Sequence, residues 1–258
     1  MGKSIPECYM SANAFDFEIF NFTQLDRSFP PHFHSTLMAG SLLEGSRHFF
    51  TPGQSFTLEP GQIIIVPPYV PHSCQQTSSS RSCSWFCLHI NPECLHGDLK
   101  TISEPVVLGD PGIWALWLRL KDMKDHAHLG RQIALILASI NIIRNENPKK
   151  SACDPICDYM RRNYQRSISL EDLAAFANMS RFTLERVFKS HKGITPYKYL
   201  ESLRIDHARN MLKNGMNLCE CALWSGYCDQ SHISRAFKAF MGLPPGLWLK
   251  RCCLQEPS

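Results

Sequence analysis

The last hundred residues of the chain contain their own copy. Sliding the sequence by 49 positions lays Leu184 on Ile233, Arg186 on Arg235, Phe188 on Phe237, Lys189 on Lys238, Gly193 on Gly242 and Pro196 on Pro245. The segment ahead aligns at 48, Ala174 on Ala222. Apolar, basic, glycine and proline positions that repeat together restrict this half to two copies of one supersecondary unit. The apolar period is close to 3.6, so the unit is helical. Ser169 with Asp172 makes a capping box ahead of a face formed by Leu170, Leu173, Ala174 and Ala177. Ser180 caps the next helix, "RFTLERVFKSHKG", with Leu184, Val187 and Phe188 inward. Thr195 and Pro196 open a long helix through Tyr199, Leu200, Leu203, Ala208, Met211 and Leu212, stopped by Asn214 and Gly215. In the second copy the turn is one residue longer and Gly226 supplies a positive φ. Asp229 then caps a helix anchored by Ile233, Ala236, Phe237 and Phe240. Two helix-turn-helix units result.

Each unit leaves a polar stripe outside. Phe182, Glu185, Arg186 and Lys189 fall at i, i+3, i+4 and i+7; Gln230, Ser231, Ser234, Arg235 and Lys238 form the matching stripe. Short polar donors beside an arginine suit the base edges and phosphates of a DNA major groove, where arginine pairs with guanine N7 and O6. A solvated basic face would look the same in one helix; the same exposed arginine in two copies favours DNA. Charge agrees. Residues 1–150 hold 12 Lys and Arg against 13 Asp and Glu, whereas residues 151–258 hold 15 against 10, so the basic excess sits in the helical half.

The second unit resembles the signature of the AraC/XylS family of bacterial transcription regulators, A-x-x-x-G-F-x-D-Q-S-x-F-S-R-x-F-K-x-x-x-G-x-x-P. Ala222, Gly226, Asp229, Gln230, Ser231, Ser234, Arg235, Phe237, Lys238, Gly242 and Pro245 match; Tyr227, Ile233, Pro244 and Leu249 depart from it. The first three departures preserve packing or turn chemistry, and Leu249 removes a phosphate contact. The resemblance implies two recognition helices in successive major grooves, with Phe182, Glu185 and Arg186 of the first and Gln230, Ser231, His232 and Arg235 of the second as base readers. Lys189 and Lys238 reach phosphates. Glu185 is the odd member, because a carboxylate at DNA must accept from cytosine N4 or orient Arg186. The partners so implied are double-stranded DNA, a small-molecule effector, RNA polymerase and a second copy of the chain, with activation as the expected output.

Residues 29–90 change period. The runs "TLMAGSLLEG", "SRHFFTPG", "QSFTLEPG", "QIIIVPP" and "SWFCLHI", divided by Gly and Pro, read as the strands of a sandwich or small barrel. His32 and His34 would share a strand face, and Gly61, Pro67 and His72 have the spacing G-x5-P-x4-H. Together they resemble the cupin barrel, the usual sensor of this regulator family. The expected fold is therefore α+β in two domains, an N-terminal cupin-like β-barrel and a C-terminal all-α double helix-turn-helix. The divisions are 1–110, 111–150 for a helical connector, and 151–258.

His32, His34, Arg47, Tyr69 and His72 are the candidate effector-binding residues, with His48 beside them. Metal-binding cupins carry a Glu where Met38 stands, and Glu44 falls in a hairpin turn. The expectation is a metal-free site with no cofactor, with zinc on His32, His34 and His72 as the alternative. In the connector, Ile133, Ile136, Ile140 and Ile143 repeat 3, 4, 3, a short coiled-coil seam for dimerisation or a core-packing face. Twelve cysteines without CxxC spacing or an export signal read as thiols; Cys83, Cys87 and Cys94 are the candidates for a thiol or metal sensor. No apolar window approaches the ~20 residues of a membrane span, so a cytoplasmic location is expected. The rival function is a metal-dependent cupin enzyme, such as a dioxygenase or isomerase, and the missing acid at position 38 counts against it. The expectation is that the chain is not an enzyme.

Overall fold

The structure, a computed structural model, describes residues 7–10, 17–78, 82–94, 102, 104–122, 132, 133, 135, 136 and 151–253. The described strands lie between residues 7 and 108, and the α-helices follow them. The strands are β1 (Glu7–Met10), β2 (Phe17–Leu25), β3 (Phe29–His32), β4 (Leu37–Glu44), β5 (Arg47–Thr51), β6 (Gln54–Leu58), β7 (Ile63–Val66), β8 (His72–Gln76), β9 (Cys83–Ile90) and β10 (Val106–Leu108). They form a six-stranded sheet, β1-β2-β9-β4-β7-β10, and a four-stranded sheet, β3-β8-β5-β6. Because the two sheets have separate edges, the unit is a jelly-roll-like sandwich rather than the closed barrel expected.

Alternation decides what each face of the larger sheet meets. On β9, Trp85, Cys87 and His89 turn between the sheets, while Phe86, Leu88 and Ile90 turn outward into a second core. That outer core is covered by α1 (Pro111–Asp122) through Ile113, Trp117 and Leu120, and Trp117 Nε1 donates to Ser41 Oγ at 2.7 Å. Covering both faces explains the unbroken apolar run of β7.

The connector differs from the expected seam. Gln132, Ile133, Leu135 and Ile136 are helical, and Ile133 and Ile136 are buried within the chain against the outer face of the sheet. These two serve the core and offer no face to a second copy; Ile140 and Ile143 lie outside the described residues.

The helical half comprises α2 (Asp154–Asn163), α3 (Leu170–Phe176), α4 (Arg181–Lys192), α5 (Pro196–Lys213), α6 (Leu218–Trp224), α7 (Gln230–Met241) and α8 (Pro245–Cys253). The caps are those the residues specify. Ser169 Oγ accepts from Asp172 N–H at 3.1 Å while Asp172 Oδ2 accepts from Ser169 N–H at 2.9 Å. Ser180, Thr195 and Asp229 cap α4, α5 and α7, and Asn217 caps α6. Gly193 and Gly242 end α4 and α7 in the left-handed conformation. Ser169→Ala should cost about 1 kcal/mol, read as a lower urea midpoint at unchanged slope. Among the described residues no helix is long and apolar enough to cross a membrane.

The halves are joined by buried contacts. Phe33, just past β3, enters the core of the first helix-turn-helix unit, with its ring 4.5 Å from Tyr199. Glu18 of β2 lies 3.5 Å from Arg209 and 3.4 Å from Lys213, and Arg209 also pairs with Asp206 at 3.3 Å. Asp206 Oδ2 accepts from Ser35 N–H at 3.2 Å. Arg27 donates to the Met241 carbonyl at 3.1 Å, which sets a cation on the C-terminal end of α7, where the helix dipole favours it.

Candidate functional site

Two surfaces carry the chemistry. The first is the outer stripe of α4 and α7. Phe182 is 77% exposed, and Glu185, Arg186, Lys189, Gln230, Ser231, Arg235 and Lys238 are exposed as well. They stand out because Leu184 and Phe188 on α4, and Ile233, Ala236, Phe237 and Phe240 on α7, take the opposite face into the core. His232 is half-buried: its ring stands edge-on to Tyr227 at 4.9 Å and its Nδ1 is 3.3 Å from Cys228 Sγ. The backbone N–H of His232 also donates to the capping Asp229 at 2.7 Å. Tyr227 and Ile233 are buried, so these departures from the family pattern keep the packing.

The second is a cavity of about 80 Å³ between the two sheets, room for about two or three water molecules. Most of its wall is apolar, from Phe20, Phe22, Met38, Phe49 and Trp85. His32, His34, His72 and His89 converge on it. His32 and His72 are register partners on β3 and β8, with rings 4.6 Å apart. His34 does not share a strand with His32 as expected, since β3 ends at His32; from the turn it still reaches the cluster, 4.9 Å from His32 and 4.3 Å from His89. Burial is the main cause that lowers the basicity of all four, His72 to about 3 and His34 and His89 well below the usual range. All four are neutral imidazoles at pH 7.

The remaining candidates lie elsewhere. Arg47 is buried, but its guanidinium donates to the Arg27 carbonyl and, at 3.3 Å, to Cys83 Sγ, so it braces the sandwich and does not line the cavity. Tyr69 packs between Phe33 and the guanidinium of Arg161 at the junction with the helical half. His48 is exposed and meets Thr57. Cys83 and Cys87 are buried, and desolvation pushes the Cys87 thiol up to about 12, so neither is a thiolate at neutral pH. The side chain of Cys94 lies outside the described residues.

Sequence reasoning missed His89, Trp85, Phe240 and Met241. The last two belong to α7 and complete the wall of the sensor cavity, with the Phe240 ring 6.0 Å from His32. His89 and Trp85 were available from the alternation of "SWFCLHI". Phe240 reads in sequence as helix core, and no local signal says that its core is the sensor's.

Comparison with known proteins finds a family for each half. Residues 15–150 match an AraC-like ligand binding domain, and residues 173–251 match a helix-turn-helix domain. YbfI, an uncharacterised helix-turn-helix transcriptional regulator of Bacillus subtilis, is 25% identical over 235 residues, covering 84% of this chain and 85% of its own. The probable transcriptional regulator LumQ of Photobacterium leiognathi is 25% identical over 236 residues, covering 88% and 94%. GbdR of Pseudomonas aeruginosa is 34% identical over 131 residues, and there the match spans 50% of this chain and only 33% of GbdR. Among solved structures, apo ToxT of Vibrio cholerae superposes with a TM-score of 0.63 at 15% identity, over 93% of this chain and 98% of that one. An unsaturated-fatty-acid-bound ToxT gives 0.60 at 14% over the whole of both chains; these likenesses concern the fold. The chain belongs to the AraC family of transcription regulators, a ligand-binding domain followed by a DNA-binding helix-turn-helix domain.

Proposed function

We propose that this protein is a one-component, effector-responsive regulator in which a small molecule between the sheets acts directly on the second recognition helix. The observation that carries the reading is the cavity wall, made from β2, β3, β4, β5, β8 and β9 on one side and Phe240 and Met241 of α7 on the other. A ligand larger than the cavity must displace those two side chains, and with them the helix that carries Gln230, Ser231 and Arg235. Its fit calls for an apolar body and a polar end facing the histidines; the fatty-acid-bound ToxT of the same fold supports that choice. The shift is one between existing states and needs only a few kcal/mol of differential affinity.

In this reading residues 1–110 sense, 111–150 connect, and 151–258 bind DNA through Phe182, Glu185, Arg186, Lys189, Gln230, Ser231, His232, Arg235 and Lys238. The protein acts in the cytoplasm as a homodimer on promoter DNA, contacts RNA polymerase and activates; it is a regulator and not an enzyme, as the regulator relatives support. The test pairs thermal melting with operator binding across a panel of amphipathic small acids. A true effector at a hundred times its Kd adds about 2.7 kcal/mol of stability and changes operator affinity, and Phe240→Ala should break the second effect. A ligand of the cavity that leaves operator affinity unchanged would sink the proposal.

A further inference from the structure

An apolar ligand does not account for three buried histidines and a half-buried fourth. Neutral imidazoles out of water need partners for both ring nitrogens. His32 Nδ1 lies 2.7 Å from the Pro30 carbonyl and His72 Nδ1 lies 3.0 Å from the Val70 carbonyl, the same two-residue step back on paired strands. A carbonyl only accepts, so each ring keeps its proton on Nδ1 and has Nε2 as its lone-pair nitrogen. A backbone acceptor on one ring nitrogen is how proteins commonly orient a histidine whose other nitrogen binds a metal. One nitrogen from each of His32, His34 and His72 lies within 4.8 Å of the others, and among the described residues this is the only such cluster of possible ligands.

We propose that His32, His34 and His72 bind one late first-row divalent ion, zinc in the first place, and that its fourth position takes an oxygen donor from the polar end of the effector. Three imidazoles without a carboxylate suit zinc, nickel or copper and reject magnesium and calcium, which require oxygen ligands. Zinc held by three protein ligands keeps one position for an exogenous donor. At a Zn–N distance of about 2.0–2.1 Å the nitrogens of a tetrahedral site stand about 3.3 Å apart, so loading draws the three rings together. His32 faces Phe240, which places the ion one side chain away from the recognition helix. The second clause of the proposal rests on the effector reading above; the metal site itself does not.

The experiment uses untagged full-length protein stripped with a chelator and titrated with cobalt(II), whose visible absorption reports a tetrahedral site. Zinc affinity follows by competition with a chromophoric chelator. One equivalent of cobalt with tetrahedral bands is expected. His72→Ala and His32→Gln should each lower affinity by at least about 100-fold, more than an outer-shell change costs, while His48→Ala at the exposed strand changes nothing. The two ligand variants guard against misfolding of either, judged by circular dichroism. Absence of stoichiometric binding, or binding that a folded His72→Ala or His32→Gln variant retains, overturns the site. The readout needs neither DNA nor effector: zinc binding with an operator affinity that ignores small molecules upholds the metal and refutes the effector reading alone.

Discussion

Replacing Arg186 and Arg235 together by alanine should abolish the enrichment of specific fragments from sheared genomic DNA at about 150 mM salt, where non-specific binding is weak. Each single exchange should cost about 1–3 kcal/mol at one base position, the worth of a bidentate contact to guanine. Both side chains stand free of the core, on faces opposite Leu184 with Phe188 and Ile233 with Phe237. The fold therefore survives the change, and melting curves should match those of the wild type. Lys189→Ala supplies the contrast, since removing a cation from a phosphate weakens all sequences alike and flattens the salt dependence by about one unit. If all three exchanges lower affinity equally for every sequence, the arginines do not read bases.

Arg209→Met should cost about 3–5 kcal/mol of stability. Arg209 is 1% exposed and is the cation between Glu18 of the sensor and Asp206 of its own helix. Methionine keeps the volume but takes the cation from the buried Asp206 and leaves Glu18 with Lys213 alone. Adding Glu18→Leu should recover part of the loss, because it removes one of the two carboxylates left behind, while Asp206 keeps the Ser35 N–H. The cycle is read from urea midpoints of the four proteins. A loss below about 1 kcal/mol for the single variant would mean that water reaches the cluster and that these charges do not hold the halves together.

What the residues disclosed in advance follows how far each signal reaches along the chain. Caps at Ser169, Ser180, Thr195 and Asp229 are contacts over three residues, and all four stand where the sequence puts them. Strands β4 to β7 were readable from their turns. β3 was carried two residues too far, through His34, where it ends at His32; the sheet admits Pro30 and Pro31 since β3 is an edge. β8, "HSCQQ", is too polar to announce itself. Arg47 failed as a ligand because a charged residue on a strand reads the same whether it meets a cavity or a backbone carbonyl. The cavity's fourth wall, Phe240 and Met241, lies some 200 residues from His32 and His34 in sequence, and only the docking of the halves reveals it.

Phe33 bears on the portability of the two halves. Its side chain belongs to the sensor by sequence and to the first helix-turn-helix unit by packing, fully enclosed there beside Tyr199 and Leu203. A fragment that begins near residue 151 thus starts life with an unfilled slot, the equivalent of a buried Phe→Ala exchange at about 3–5 kcal/mol. A chimera with a foreign sensor inherits the same defect unless an aromatic residue is supplied at that spot. The halves can be told apart in the sequence, yet they are not interchangeable parts.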